Sequence, residues 1–355
     1  VRRYSNNDIT WEIARKLNLG FEMRLFDKVE LQVDYFTENR SNILLERTNL
    51  PSSMGLEASV EANVGRAKSH GVEGALTYQH SFSEDFWLSA NANFTYATSE
   101  FLVADEPDYA ASGLPWRSRI GYSLNQQWGY IAERLFIDET DIANSPIQTF
   151  GPYMPGDIKY KDINRDGKID ESDLVPIGYP TEAEINYGFG ATLGYKGFDF
   201  SFFFNGLGRK TFFIDAQQMA PFNNPPVTAA GVGGYTRKTA LFKEFADSHW
   251  SESNPDIYAV WPRLSTDAYD NSNNYQQSTW WMRNGSFLRL KLIELGYTLP
   301  HNLTRKIRIE DLRIYVSGED LFAGSNFKMW DVEMGGMGIG YPIQKKFNIG
   351  LQVKF

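Results

Sequence analysis

Cysteine is absent from the 355 residues. That excludes disulfides, thiolate zinc sites, iron–sulfur clusters and cysteine nucleophiles together. Histidine is scarce, at four copies, and neither a G-x-S-x-G nucleophile motif nor a phosphate-binding loop is present. Gly231-Val232-Gly233-Gly234 is glycine-rich but lies in a polar stretch without a strand-to-helix context, so it reads as a turn. No catalytic constellation emerges, and the chain is not expected to be an enzyme. Positive charge is in deficit: 35 Lys and Arg against 44 Asp and Glu leave a formal charge of −9, with no basic run to wrap nucleic acid. No stretch approaches the roughly 18 uninterrupted apolar residues that a membrane-spanning helix needs. Nor do the first residues, Val1-Arg2-Arg3-Tyr4, contain the apolar core of a signal peptide. The chain is thus expected to be either cytoplasmic or a piece whose beginning lies elsewhere, and the strand pattern favours the second.

Aromatic residues are abundant, with 25 Phe, 19 Tyr and 9 Trp, and 30 Gly accompany them. That bias favours strands over a helical bundle. From Trp11 to Leu25 the odd positions are apolar except for Arg15, and the even ones are mostly polar or small. An alternation this long exceeds the usual globular strand of about 5–6 residues. After Phe26-Asp27-Lys28 it resumes through Val29, Leu31, Val33 and Tyr35, which makes a tight hairpin. A second hairpin joins 72–78 to 88–96 around Ser83-Glu84-Asp85, and a third joins 187–195 to 198–205 at Lys196-Gly197. Strands at 288–292 and 312–316 flank Pro300 and His301, and Phe347 to Phe355 forms the last strand.

Connections alternate between a few residues and about 20 to 70. Short turns on one side, long loops on the other and alternating apolar and polar faces describe a transmembrane β-barrel; a soluble sandwich has shorter strands and more even loops. A further strand pair is expected at about 117–123 and 127–136, turning near Asn125, for eleven strands in all. The aromatic residue ending Asn348-x-Gly350-x-x-Val353-x-Phe355 is similar to the terminal signal by which outer-membrane barrels are recognised for assembly.

One motif carries chemistry. Asp162-Ile163-Asn164-Arg165-Asp166-Gly167-Lys168-Ile169-Asp170-Glu171-Ser172-Asp173 reproduces a twelve-position calcium loop. Oxygen side chains fall at positions one, three, five, nine and twelve (Asp162, Asn164, Asp166, Asp170, Asp173), the Lys168 carbonyl serves at seven, and Gly167 makes the sharp turn at six. Mg²⁺ or an Asp-rich turn holding no metal are the alternatives. Asp173 replaces the usual longer Glu, and Pro176 prevents a long exiting helix, so a structural Ca²⁺ is expected and not a switch.

Taken together, the chain resembles the C-terminal part of the SusC/RagA family of TonB-dependent outer-membrane transporters. The residues that carry the resemblance are Ile9-Thr10-Trp11-Glu12, Gly55, Asn63-Val64-Gly65, Ser69-His70-Gly71-Val72-Glu73, the run Gly156 to Asp162, and Ile177-Gly178-Tyr179-Pro180. Further along come Phe287-Leu288-Arg289-Leu290, Leu295 to Pro300, Gly318-Glu319-Asp320-Leu321-Phe322 and Tyr341-Pro342. The resemblance implies an all-β architecture: the C-terminal half, about eleven strands, of a 22-stranded antiparallel barrel with long extracellular loops. The whole of 1–355 would be barrel, with the plug domain absent from it.

By the same resemblance, the protein imports oligosaccharides or peptides across the outer membrane of a Gram-negative bacterium. Its implied partners are a SusD-like surface lipoprotein, the TonB complex acting through the plug, the remaining barrel and the lipid bilayer. Trp261, Trp280 and Trp281 are the candidates to stack on a glycan, among Trp250, Tyr258, Tyr269 and Tyr275; the alternative places such aromatics in the interfacial girdle or against the lipoprotein. Two rival readings stay open: a passive or structural outer-membrane barrel such as a receptor or adhesin, and a soluble calcium-stabilised glycan-binding β-protein.

Overall fold

The computed structural model describes residues 4, 6–222, 241–266 and 271–355. The Gly231–Gly234 run and Tyr269 lie outside them. Nine long strands form one antiparallel sheet in sequence order: β1 (Ile13–Leu25), β2 (Val29–Glu46), β3 (Glu61–Ser81), β4 (Phe86–Val103), β5 (Ile185–Tyr195), β6 (Phe198–Gly208), β7 (Phe287–Thr298), β8 (Asp311–Ser325) and β9 (Lys346–Lys354). Each strand pairs with its neighbour in the chain, which is the up-and-down order of a barrel wall. No helix among the described residues is long and apolar enough to cross a membrane.

The expected eleven strands become nine. Residues 117–123 hold only the end of a 3₁₀ turn and a single bridge from Ile120 to Phe101, while 127–136 contributes the short strands Gln127–Gly129 and Ala132–Leu135, which pair outside the sheet with Val175–Ile177 and Ile158–Tyr160. No extra crossing is needed, since nine strands already put the turns at 26–28, 82–85, 196–197 and 299–310 on one side. The long connections 47–60, 104–184, 209–286 and 326–345 then all lie on the other.

The turns follow local chemistry. Phe26 and Asp27 both take left-handed φ angles of 53° and 51°, and the Lys28 N–H donates to the Leu25 carbonyl at 2.9 Å. Lys196 and Gly197, at 48° and 84°, make the same two-residue turn between Tyr195 and Phe198. Turns with two positive φ values carry the twist of paired strands, so they join hairpins without splaying them.

Register lines one face with apolar rows. Phe21, Val33, Phe94 and Tyr187 stand level, as do Leu88, Leu193, Phe200, Leu295, Val316 and Ile349. Many of these side chains are exposed, which in water would be a severe liability and in hydrocarbon is the required solvent contact. A single sheet covered on neither face has no core of its own. The buried apolar core lies instead in the long connections, where Tyr130, Leu135, Ile158, Tyr160, Ile169, Met219, Phe245, Trp261, Trp281, Phe327 and Val332 pack together.

Candidate functional site: the lumenal wall and its outer cap

The opposite face of the sheet is polar. Ser89, Thr192, Ser201, Glu294, Ser317 and Asn348 form one level row across β4 to β9. The next row toward the short turns alternates large side chains with glycine: Trp87, Gly194, Asp199, Gly296, Tyr315, Gly350. A Cβ on Gly194 would sit 2.1 Å from the Trp87 indole, and one on Gly350 would sit 2.1 Å from the Tyr315 ring. The large groups therefore lie flat along the sheet over their glycine neighbours. Arg313 spans Asp199 and Glu294: its Nε donates to Asp199 at 2.9 Å, one Nη donates to Glu294 at 2.6 Å, and the guanidinium stacks over Tyr315 at 4.9 Å. Two carboxylates share one cation, so the row stays acidic.

Near the mouth, Arg289 on β7 is almost fully buried and donates to both Asp331 oxygens, at 2.6 and 2.8 Å, and to Glu333. Asp331 and Glu333 belong to the β8–β9 connection, so this cluster fastens that loop onto the wall. Beside it a β-bulge between Leu290 and Leu292 turns Lys291 onto Asp320, at 2.8 Å, with Asp320 itself at a φ of 54°. Bulges re-aim side chains in this way.

The other long connections form a cap held by polar groups as well as by its core. Asp157 is wholly buried; one oxygen lies 2.7 Å from Arg263 Nε and accepts from Asn274 Nδ2 at 2.7 Å, and the other accepts the Met154 N–H at 2.9 Å. Asn274 Oδ1 then takes the Ile158 N–H at 2.8 Å, while Gln148 bridges Asn273, the Ile158 carbonyl and the Tyr160 N–H. Burial lifts the Asp157 carboxyl above the usual carboxylate range, with Arg263 opposing it. Asp141 goes the other way. Arg134 at 2.6 and 2.9 Å, the Ile137 N–H and Lys159 at 3.0 Å hold its carboxyl well below that range.

The aromatic residues of the 209–286 connection are packed, not presented. Trp281 and Trp261 are almost fully buried, 4.7 Å apart between ring centroids, with Phe245 against Trp261 and the Trp281 N–H on the Asn274 carbonyl at 2.7 Å. Trp280 is half-buried against the same core. The expectation that Trp261 and Trp281 offer flat faces to a glycan is therefore corrected: both are core, because the connection is long enough to bury its own indoles. Of their neighbours, Trp250 and Tyr275 pack on that core and Tyr258 is exposed.

The loop 162–173 folds tightly on itself. Asp162 accepts the N–H groups of Arg165 and Gly167, Asn164 that of Asp166, Asp166 that of Lys168 and Asp170 that of Ser172. Buried Asp173 accepts from Ile163, Asn164 and Asp170. Gly167 has φ 85° with open space around its α-carbon, as the sixth position of a calcium loop requires. None of the four aspartates has a cationic partner among the described residues. As arranged, the carboxylates face backbone N–H groups, and no three His, Cys, Asp or Glu side chains among the described residues gather as metal ligands.

Residues 1–163 match the family of TonB dependent receptor-like β-barrels. Over 99% of its length the chain is 27% identical to TonB-dependent receptor P26 and 24% identical to TonB-dependent receptor P3, both of Formosa agariphila. The chain is thus similar to TonB-dependent receptor β-barrels, by the family match in its first 163 residues and by these relatives along its length. It spans about a third of these relatives, 36% and 35% of their lengths. Its fold is similar to the RagAB peptide importer in the open-open state, with TM-score 0.66 and 22% identity over 100% of this chain and 36% of that one. The closed-closed state of the same importer gives TM-score 0.65 and 23% identity over 99% and 36%. The nine-strand sheet thus has the fold of part of such a barrel.

Proposed function

We propose that this chain is wall and outer cap of a TonB-dependent importer that moves oligosaccharides or peptides across the outer membrane of a Gram-negative bacterium. The observation that carries the reading is the pairing of a polar lumenal wall with long connections folded into a packed cap on one side only. A passive pore needs the first feature but not the second. β1 and β9 each have one strand neighbour in the described sheet, and unpaired edges are not tolerated in lipid. The remaining strands of a 22-stranded barrel and a plug would therefore come from sequence outside this chain. On this reading TonB acts through that plug, and a SusD-like lipoprotein sits on the cap.

The loop 162–173 is proposed to hold a structural Ca²⁺ through Asp162, Asn164, Asp166, the Lys168 carbonyl, Asp170 and Asp173. The donor set is all oxygen, Gly167 makes the turn of the sixth position, and the four aspartates have no cationic partner among the described residues; to bind, their carboxylates would turn from the backbone N–H groups they accept onto the ion. Ca²⁺ would stiffen the span between β4 and β5.

The test is uptake. In the native organism, deletion of the full gene should abolish growth on one oligomeric nutrient, glycan or peptide, while growth on its monomers persists. Loss of TonB should reproduce that defect. Uptake that survives TonB loss would overturn the importer reading in favour of a passive barrel.

A further inference from the structure

The four short turns differ in charge. The turn at 26–28 carries Asp27 and Lys28, with Arg24 beside it 3.4 Å from Asp27 and 3.6 Å from Glu30; the turn at 82–85 carries Glu84 and Asp85; and 196–197 carries Lys196 alone. The fourth connection, 299–310, is longer and folds as a helical turn His301–Thr304 followed by the 3₁₀ turn Arg305–Ile307. It presents Arg305, Lys306 and Arg308, all exposed, and none of them pairs with a carboxylate among the described residues. The one acid of the segment, Glu310, is taken by Lys354 at 2.9 Å. Leu303, in the same segment, is exposed. Three unsatisfied cations in one turn run against the −9 balance of the chain.

The height of this turn is fixed by the girdle beside it. Phe86, Tyr195, Phe198 and Tyr297 form a band of ring contacts at 6.4 and 4.4 Å, just where the apolar rows end. Aromatic belts of this kind mark the boundary between hydrocarbon and headgroups. The turn starts directly beyond Tyr297, with the Leu299 N–H bonded to the Leu312 carbonyl at 2.9 Å. It therefore lies at the headgroup level of the leaflet on the short-turn side. An exposed leucine flanked by free Arg and Lys side chains is the pattern that couples a shallow apolar insertion to anionic headgroups.

We propose that Leu303, Arg305, Lys306 and Arg308 form a binding surface for anionic phospholipid on the periplasmic leaflet. Guanidinium groups take phosphate oxygens through paired N–H donors, and Lys306 adds a point charge. Each cation close to an anionic surface strengthens attraction by roughly fivefold, so the three together give a preference on the order of a hundredfold.

The test uses the full-length protein in nanodiscs containing phosphatidylglycerol and phosphatidylethanolamine, with retained lipid counted by native mass spectrometry. Wild type should enrich phosphatidylglycerol, and 0.5 M salt should weaken the enrichment. Arg305→Gln with Lys306→Gln and Arg308→Gln should abolish it while gel mobility before and after heating still reports a folded barrel. Arg24→Gln, at another short turn, should leave it intact. If the triple variant misfolds, Arg305→Glu alone must cut the enrichment. Equal enrichment in wild type and a folded variant overturns the proposal. So does a surface that ignores phosphatidylglycerol vesicles but binds an acidic periplasmic protein domain.

Discussion

Removing the Asp157 carboxylate tests whether the cap is a cooperative unit. In Asp157→Ala, Arg263 keeps its charge in a site where its side chain is only 11% exposed, and both Asn274 Nδ2 and the Met154 N–H lose their acceptor. Breaking a buried ion pair from one side costs about 3–5 kcal/mol. Taken at about 3 kcal/mol, this raises the open population of the cap roughly 150-fold. The readout is hydrogen exchange of the Ile158 and Tyr160 amides, which bond to Asn274 and Gln148. Their protection should fall about 100-fold, while amides of β5 and β6 keep theirs because the wall does not depend on the pair. Asp157→Leu combined with Arg263→Leu should recover much of the loss, since the unpaired charge is then gone. Unchanged exchange at Ile158 in Asp157→Ala, or a double replacement as damaging as the single one, would refute the reasoning.

Three other outcomes are expected. Asp162→Ala with Asp166→Ala should lower bound calcium in the purified protein, read by elemental analysis, and expose residues 140–185 to protease; unchanged metal content refutes the assignment. Gly194→Val places a side chain where the Trp87 indole lies and should destabilise the wall by about 1–3 kcal/mol, read as a lower temperature for loss of heat-modifiable mobility. The Asp141 carboxyl is depressed in the folded state by Arg134 first, so its stabilisation is fully present above the unfolded value near 3.9 and is lost as pH falls below that. Proteolytic resistance of 132–160 should accordingly hold from pH 8 to about 5 and weaken below about 4, and Asp141→Asn should remove that acid step.

The wall was legible because period-2 alternation is a local property, and Leu17, Leu19 and Phe21 declare it whatever they later pair with. The turns were legible for the same reason. Residues 117–136 misled because short apolar stretches such as Gln127–Gly129 and Ala132–Leu135 also alternate, yet their partners are cap segments and not wall strands. Trp261 and Trp281 misled because composition cannot separate a binding face from a core when a connection is large enough to fold by itself. The Asp157–Arg263 pair joins residues more than a hundred positions apart, and no spacing rule reaches it. The flat-lying Trp87 and Tyr315 depend on glycines one strand away, which only register reveals.

The strict neighbour order of the sheet also bears on how the wall is made. β1–β2, β3–β4, β5–β6 and β7–β8 each close through a short turn, whereas β4 meets β5 only after an excursion of roughly 80 residues. Loop closure costs about 0.6 kcal/mol for each doubling of length, so hairpin pairing precedes docking between hairpins. Pairing is therefore expected to begin within each hairpin, with hairpins joining edge to edge before an open ladder meets lipid. The cap assembles last, because Phe212, Trp281 and Phe327 come together only after β6, β7 and β8 stand side by side.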